Sequence, residues 1–298
     1  MLLQAEISSV LGEELSRVAC ISEHAFGEIY SLYDEQGVVI PLVAQVFHTP
    51  GLAAQIAQKY GVLSAHSQIR LPLVHGLITH QQLDLPDVLL IDRPGGVSAE
   101  VPCRMPERWH FLQEQIIDAL LVWHKQESSG LVGYVDSMQK NSWQAWYQQK
   151  ITVLWSTLSR LRPAQLSLHD YQILYRSKAH LQSLLADAEE TCVLVHGNLT
   201  LQHLLKDPRS DKLQAIVCPG NMLWAPREFE LARLGHDPLS ESILFGYLQR
   251  FPVAEGFIAR RWLYVLWEQV DQLLHSGHFS RETFHHAAQS LFPWLNEG

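Results

Sequence analysis

The segment VLVHGNLTLQHLLKD, residues 193–207, gathers two histidines and an asparagine, His196, Asn198 and His203, into one short stretch, and Cys218 follows in LQAIVCPGN. Imidazole can move protons near neutral pH or bind a metal. An asparagine amide hydrogen-bonds but is no base in that range, so Asn198 can orient a group without accepting its proton. His203 and Cys218 are residue types that hold zinc or copper, but such a site needs three or four ligands and His196 is the one further candidate in this stretch. No metal site is expected. His196 reads instead as a buried residue that holds the loop by hydrogen bonds, and Asn198 as a brace to nearby backbone.

These residues belong to a chain of 298, 47% hydrophobic and 18% charged, which suits a globular protein with one large or two smaller cores. A formal charge of −9 argues against nucleic acid as a partner, because neutralising phosphate backbones takes clustered Lys and Arg. Cys20, Cys103, Cys192 and Cys218 are scattered with no C-x-x-C spacing, as expected of reduced thiols. The N-terminal stretch MLLQAEISSVLGEELSR lacks the basic region and long apolar core of an export signal. Apolar runs such as DVLLID fall well short of the roughly 20 residues that span a bilayer. A cytoplasmic protein without membrane contact is expected.

Up to residue 92 the chain reads as strands interrupted by one helix. EIYSLYD and GVVIPLVAQVF are β-branched and aromatic runs joined by the turn signal DEQG. In TPGLAAQIAQKYGVLSA, Thr49 offers a helix N-cap, with Pro50 in the first turn. IRLPLVHGLITH and DVLLIDR resume strands, and RPGG breaks them. Beyond residue 93 the pattern turns helical: Pro106 starts a segment in which Trp109, Leu112, Ile116, Leu120 and Trp123 recur every three or four residues. Helical periods continue to the C-terminal third, with a strand-like hairpin near 192–218 between them. Trp143, Trp146, Trp155, Trp262 and Trp267, at helical spacing, are expected in core or interface positions. Arg260 and Arg261 are expected on an exposed helix face, and His285 and His286 at the surface.

The loop at 193–207 resembles the H-G-D-x-x-x-x-N-(V/I)-L segment of the aminoglycoside phosphotransferases, choline kinases and fructosamine kinases. LQAIVCPGNMLWAPREFELARL is similar to the I-D-W segment of these enzymes and the D-L-A helix start after it. ALLVWHKQ resembles their L-x-x-L-H helix end, LLIDRPGG their hinge, and IRLPLVHG the strand before it. The resemblance covers most of the chain. It implies an α+β, protein-kinase-like two-lobed fold: an N-lobe over 1–92, with a small antiparallel sheet and one helix, and a mainly helical C-lobe over 93–298.

By the same resemblance, Asn198 takes the place of the acidic group that receives the proton of the attacking hydroxyl, while His203 and Cys218 take the places of the two magnesium ligands. Gln45 takes that of the strand lysine that clamps phosphate. Magnesium prefers oxygen ligands, which imidazole and thiol do not supply. No Asp or Glu lies between Asp211 and Glu228, the first lysine of the chain is Lys59, and the helix from Thr49 to Leu63 carries no acid. Losing the base, both metal ligands and the clamp removes the charge that a transferring phosphoryl group needs. The expectation is a degenerate site with no intact catalytic residue: a pseudokinase that binds a protein partner or a small ligand and needs no cofactor. The alternative is an active phosphotransferase, or another nucleotide-transfer enzyme, that uses ATP and magnesium with relocated acids. If nucleotide binds, the resemblance places the adenine at the hinge, Ile91, Asp92 and Arg93.

Overall fold

The runs EIYSLYD and GVVIPLVAQVF form the antiparallel hairpin that their alternation and the intervening turn require. The computed structural model describes residues 2–24, 27–80, 85–189 and 191–295. In chain order the first elements are α1 (Leu2–Leu11), β1 (Leu15–His24), β2 (Gly27–Asp34), β3 (Val39–Phe47), α2 (Leu52–Ala65), β4 (Val74–Ile78), β5 (Asp87–Asp92) and β6 (Val97–Ser98). Next come α3 (Arg108–His124), β7 (Leu131–Tyr134), β8 (Gln139–Lys140), α4 (Trp143–Leu161), α5 (Leu168–Ala179) and α6 (Leu181–Leu184). Four short strands follow, β9 (Val193–Val195), β10 (Leu204–Lys206), β11 (Leu213–Ile216) and β12 (Leu223–Ala225). The remaining helices are α7 (Arg227–Leu231), α8 (Pro238–Arg250), α9 (Phe257–Ser276) and α10 (Arg281–Leu291).

The chain divides into two compact units, one of residues 1–112 with 201–219, the other of 113–200 with 220–298. In the first, an antiparallel sheet runs in the order β1-β2-β3-β5-β4, and β6 pairs with the β10–β11 hairpin in a separate small sheet. Strand alternation sorts the large sheet into two faces. Leu32, Ala44, Val46, Val88 and Leu90 form the outer face and cluster with Ile7 of α1. Val43, Phe47, Leu89 and Ile91 form the inner face, where Ala53 and Tyr60 of α2 pack. The sheet is therefore covered by a helix on each face.

Two expectations are corrected here. The sheet has two helices rather than one, because Leu3, Ile7 and Leu11 give α1 an apolar stripe that fits the outer face. The N-cap of α2 is Gly51, in a left-handed conformation, and not Thr49. Pro50 and Gly51 make a turn in which the Thr49 carbonyl accepts from the Leu52 N–H, and Gly51 N–H donates to the Asp87 carboxylate at 2.6 Å.

The second unit is mainly helical, with β8-β7-β12-β9 as its sheet. Its core stacks aromatic rings: Trp143 meets Tyr147, Phe229 and Tyr264, and its indole N–H donates to the Tyr264 hydroxyl at 3.1 Å. Trp267 donates to Ser177 Oγ at 3.1 Å. Large indoles inside a fold need such acceptors. Trp155 and Trp262 pack partly buried against the same core. Arg260 and Arg261 depart from expectation: Arg260 is 1% exposed and Arg261 half-buried. Arg260 faces inward because Glu228 awaits it there, with two N–O contacts of 2.7 Å. Arg261 donates to the Leu234 and Gly235 carbonyls. His285 contacts Asp170 at 3.1 Å, and exposed His286 meets the Trp262 ring edge-on. Among the described residues no helix is long and apolar enough to cross a membrane.

Candidate functional site

His196 and Asn198 belong to the second unit, whereas Gln45, Ile91, Asp92, Arg93, His203 and Cys218 belong to the first. Strand β9 delivers the loop, and its buried triplet Val193, Leu194 and Val195 anchors it in the core. Directly after it, the N–H groups of His196 and Gly197 both donate to Glu230 Oε2 on α7, the second at 3.1 Å. Glu230 is fully buried, and desolvation raises its pKa against the pull of the Arg233 charge and these two N–H groups. His196 is likewise sealed from solvent, its ring stacked on Trp123 with centroids 5.8 Å apart and planes 8° from parallel. That setting suits a bracing residue.

Gly197 has φ of 75°, in the left-handed region that suits glycine. The PGN turn backs directly onto it. Gly220 N–H donates to the His196 carbonyl at 3.2 Å, and a Cβ at residue 220 would lie 2.5 Å from Gly197 O and 2.6 Å from Asn198 Cβ. Half-buried Asn198 thus sits in a loop whose path is set by backbone contacts. The loop is held at its backbone, with an amide side chain at residue 198.

In the first unit, Gln45 pairs with Ile29 on β2 and Leu89 on β5, which places it on the inner face of the sheet beside α2. His203 ends the turn before β10, and its carbonyl accepts from Val217 N–H at 2.9 Å. Cys218 has φ of 57°, a conformation that aspartate and asparagine tolerate better than cysteine. Its N–H donates to the Tyr60 hydroxyl of α2 at 3.1 Å. Although the residue as a whole is exposed, the thiol sits among enough protein atoms that desolvation raises its pKa. A neutral thiol is a poor substitute for a magnesium carboxylate.

Ile91, Asp92 and Arg93, where the resemblance puts a hinge, are engaged within the first unit. Ile91 is held in the ladder between β3 and β4, Asp92 N–H donates to the Leu73 carbonyl at 3.0 Å, and Arg93 N–H to the Pro41 carbonyl at 2.9 Å. Burial works against the charge of Asp92, but hydrogen bonds from His75, Leu73 N–H and Arg70 hold its pKa below the usual range. The Arg93 side chain turns back to Ser31 on the inner face, Nη1 to Oγ 2.6 Å. Asp92 and Arg93 also line a cavity of about 350 Å³ with Pro41, Arg70, Pro72 and Gln214.

Acids that flank these positions in sequence are committed elsewhere. Asp211 accepts from Lys206 at 2.9 Å, from Arg104 N–H at 3.0 Å and from Arg108 at 3.4 Å. Glu228 holds Arg260 and the Tyr264 hydroxyl, and Glu230 holds the loop. Among the described residues no group of three or more His, Cys, Asp or Glu side chains could hold a metal ion.

The fructosamine kinase family model matches residues 123–297, from the residue that stacks on His196 through the helical part. The chain belongs to the fructosamine kinase family. The resemblance read from the motifs reached the wider group that includes aminoglycoside phosphotransferases and choline kinases; the matching family model within it is the narrower one. This fructosamine kinase family member is 50% identical over 293 residues to the uncharacterised protein YcbJ of Escherichia coli K12, covering 98% of this chain and 99% of the relative. Among solved structures, it superposes on a thermostable mutant of aminoglycoside phosphotransferase APH(4)-Ia with a TM-score of 0.73 at 15% identity, over 99% of both chains. A Haemophilus somnus 129PT protein described as a fructosamine-3-kinase gives 0.74 at 12% identity, over 99% of this chain and 97% of the other. Such likenesses establish the kinase-like α+β fold.

Two residues important to this frame were not singled out from sequence. Glu230 lies in the ELA triplet compared with D-L-A, so its position was visible while its role toward the loop N–H groups was not. Tyr60 gave no signal, since its contact with Cys218 joins residues far apart in the chain.

Proposed function

We propose that this fructosamine kinase family member is a pseudokinase, a cytoplasmic protein that works by binding a protein partner or a small ligand, and that it neither needs ATP with magnesium nor transfers phosphate. The observation that carries this reading is the commitment of the neighbouring acids. A relocated mechanism needs a free carboxylate near Asn198 or Cys218, and Asp211, Glu228 and Glu230 are each held by cations or backbone N–H groups. The raised pKa of the Cys218 thiol and the neutral side chain of Gln45 support it further, since neither supplies charge to a metal-bound triphosphate.

Purified protein should show no melting-temperature gain from ATP that depends on magnesium, whereas a ligand at a hundredfold its Kd adds about 2.7 kcal/mol to the folded state. The quadruple variant Gln45→Lys, Asn198→Asp, His203→Asn, Cys218→Asp should gain magnesium-dependent nucleotide binding. Phosphorylation of a small-molecule hydroxyl by the unmodified protein, lost in Asn198→Ala, would refute the reading and favour the phosphotransferase alternative.

A further inference from the structure

Lys206 is 1% exposed and Asp211 4%, so a charged pair lies inside the first unit, Nζ to Oδ1 2.9 Å. Strand β10 fixes the lysine, which is paired with Val97 of β6 on one side and Leu213 of β11 on the other. Asp211 lies in the turn between β10 and β11, with φ of 57° and its N–H donating to the Asp207 carbonyl at 2.9 Å. Its second oxygen accepts from Arg104 N–H at 3.0 Å and from Arg108 at 3.4 Å, so the segment after β6 is tied to the same carboxylate. That tie carries a thiol to the amine. Lys206 Nζ donates to Cys103 Sγ at 3.3 Å, a contact that spans 103 residues of chain. The amine is sealed from solvent, whereas Cys103 is only half-buried and open to a small oxidant.

We propose that Cys103 and Lys206 are a modification site, joined by hydrogen peroxide into a sulfur–nitrogen cross-link that thiols reverse. A sulfenic acid is electrophilic at sulfur and condenses with a neighbouring thiol or nitrogen, and the neighbour here is an amine already in contact. In the first step the Cys103 thiol takes one oxygen from peroxide: the O–O bond breaks, sulfur is oxidised to sulfenic acid and water leaves. In the second, the Lys206 ammonium passes a proton to the Asp211 carboxylate and on to solvent, and the freed nitrogen lone pair attacks Sγ. The S–O bond breaks, and the departing hydroxide takes a second proton from nitrogen to leave as water. Lys206 thereby loses its charge, but Asp211 keeps the Arg108 guanidinium and the Arg104 N–H, so no carboxylate is stranded. The new bond fastens β10 to the segment after β6 and, by linking residues far apart in sequence, restricts the unfolded chain. The proposal is independent of whether Asn198 supports catalysis.

The test is treatment of the reduced full chain with a small excess of hydrogen peroxide, followed by trypsin digestion and mass spectrometry without reductant. A peptide containing Cys103 should be found joined to one containing Lys206, lighter by about 2 Da than the two reduced peptides together, with cleavage after Lys206 lost. The melting temperature should rise on oxidation, and dithiothreitol should restore both the separate peptides and the original melting temperature. Cys103→Ser should abolish the joined species and the rise. Lys206→Arg keeps a cation for Asp211 but presents a guanidinium, which stays protonated and does not attack sulfur. In that variant the sulfenic acid should accumulate and be captured by dimedone, while the unmodified protein gives little capture. Because arginine is bulkier at a buried position, circular dichroism of the reduced variant checks its fold, and Cys103→Ser supplies a comparison that leaves the lysine in place. Recovery of Cys103 as thiol, sulfinic acid or disulfide with trypsin still cutting after Lys206 would overturn the proposal, as would equal dimedone capture in Lys206→Arg and the unmodified protein.

Discussion

Replacing Arg260 by methionine should be among the most damaging single changes in the second unit. Glu228 is fully buried and Arg260 1% exposed, and the guanidinium meets both carboxylate oxygens at 2.7 Å. Arg260 also donates to the carbonyls of Glu255 at 2.7 Å and Ala254 at 3.2 Å, and Tyr264 donates to Glu228 at 2.8 Å. Methionine leaves a buried carboxylate with one hydroxyl and two carbonyls without their donors, which should cost about 3–5 kcal/mol. At about 2–4 °C per kcal/mol for a unit of this size, the melting temperature should fall by roughly 6–20 °C. Arg261→Met, which loses two carbonyl contacts but strands no charge, should cost about 1–2 kcal/mol. The double variant Glu228→Leu with Arg260→Met should recover a large part of the loss, since it removes both charges together. Urea unfolding followed by circular dichroism, arranged as a double-mutant cycle, measures all of these. If Arg260→Met unfolds within about 1 kcal/mol of the unmodified protein, the buried pair does not hold α7 to α9 as described.

Gly220→Ala should destabilise by about 1–3 kcal/mol, because its methyl would need the backbone of Gly197 to move; chemical denaturation reads this directly. Glu230→Gln should cost about 1–3 kcal/mol and speed hydrogen exchange at His196 and Gly197, whose N–H groups lose a carboxylate acceptor. For Asp271, burial opposes the charge but the His275 hydrogen bond and the Lys150 ammonium outweigh it, moving its pKa from 3.8 to about 2. A depressed acid stabilises fully above its unfolded pKa and loses that stabilisation as pH falls through the folded one. The unmodified protein should therefore lose about 2 kcal/mol more than Asp271→Asn between pH 5 and pH 2, as measured by melting temperature against pH.

The strands of the sheet and the strand-like return after residue 192 were legible in sequence because each depends on short-range pattern: alternation, turn residues, and motif spacing. Helix α1 was not. Its apolar stripe of Leu3, Ile7 and Leu11 covers under three turns, too short a period to separate a helix from an irregular terminus without the sheet face it covers. Arg260 was misread for a related reason: residue type points to solvent, and the carboxylate that draws it inward comes from another helix 32 residues earlier. Thr49 had the chemistry of a cap, but Asp87, brought near by the sheet, binds Gly51 and shifts the helix start. At the candidate site the residue types at 45, 198, 203 and 218 could be read directly, whereas the engagement of Asp211, Glu228 and Glu230 could not, since that depends on long-range partners.

The clasp that Glu230 places on the loop grips peptide groups and leaves side-chain identity free. Posture at residues 196 and 197 thus rests on main-chain groups that every residue type but proline supplies. A side chain placed on this stretch therefore inherits a main-chain path fixed by a partner 33 or 34 residues further along the chain.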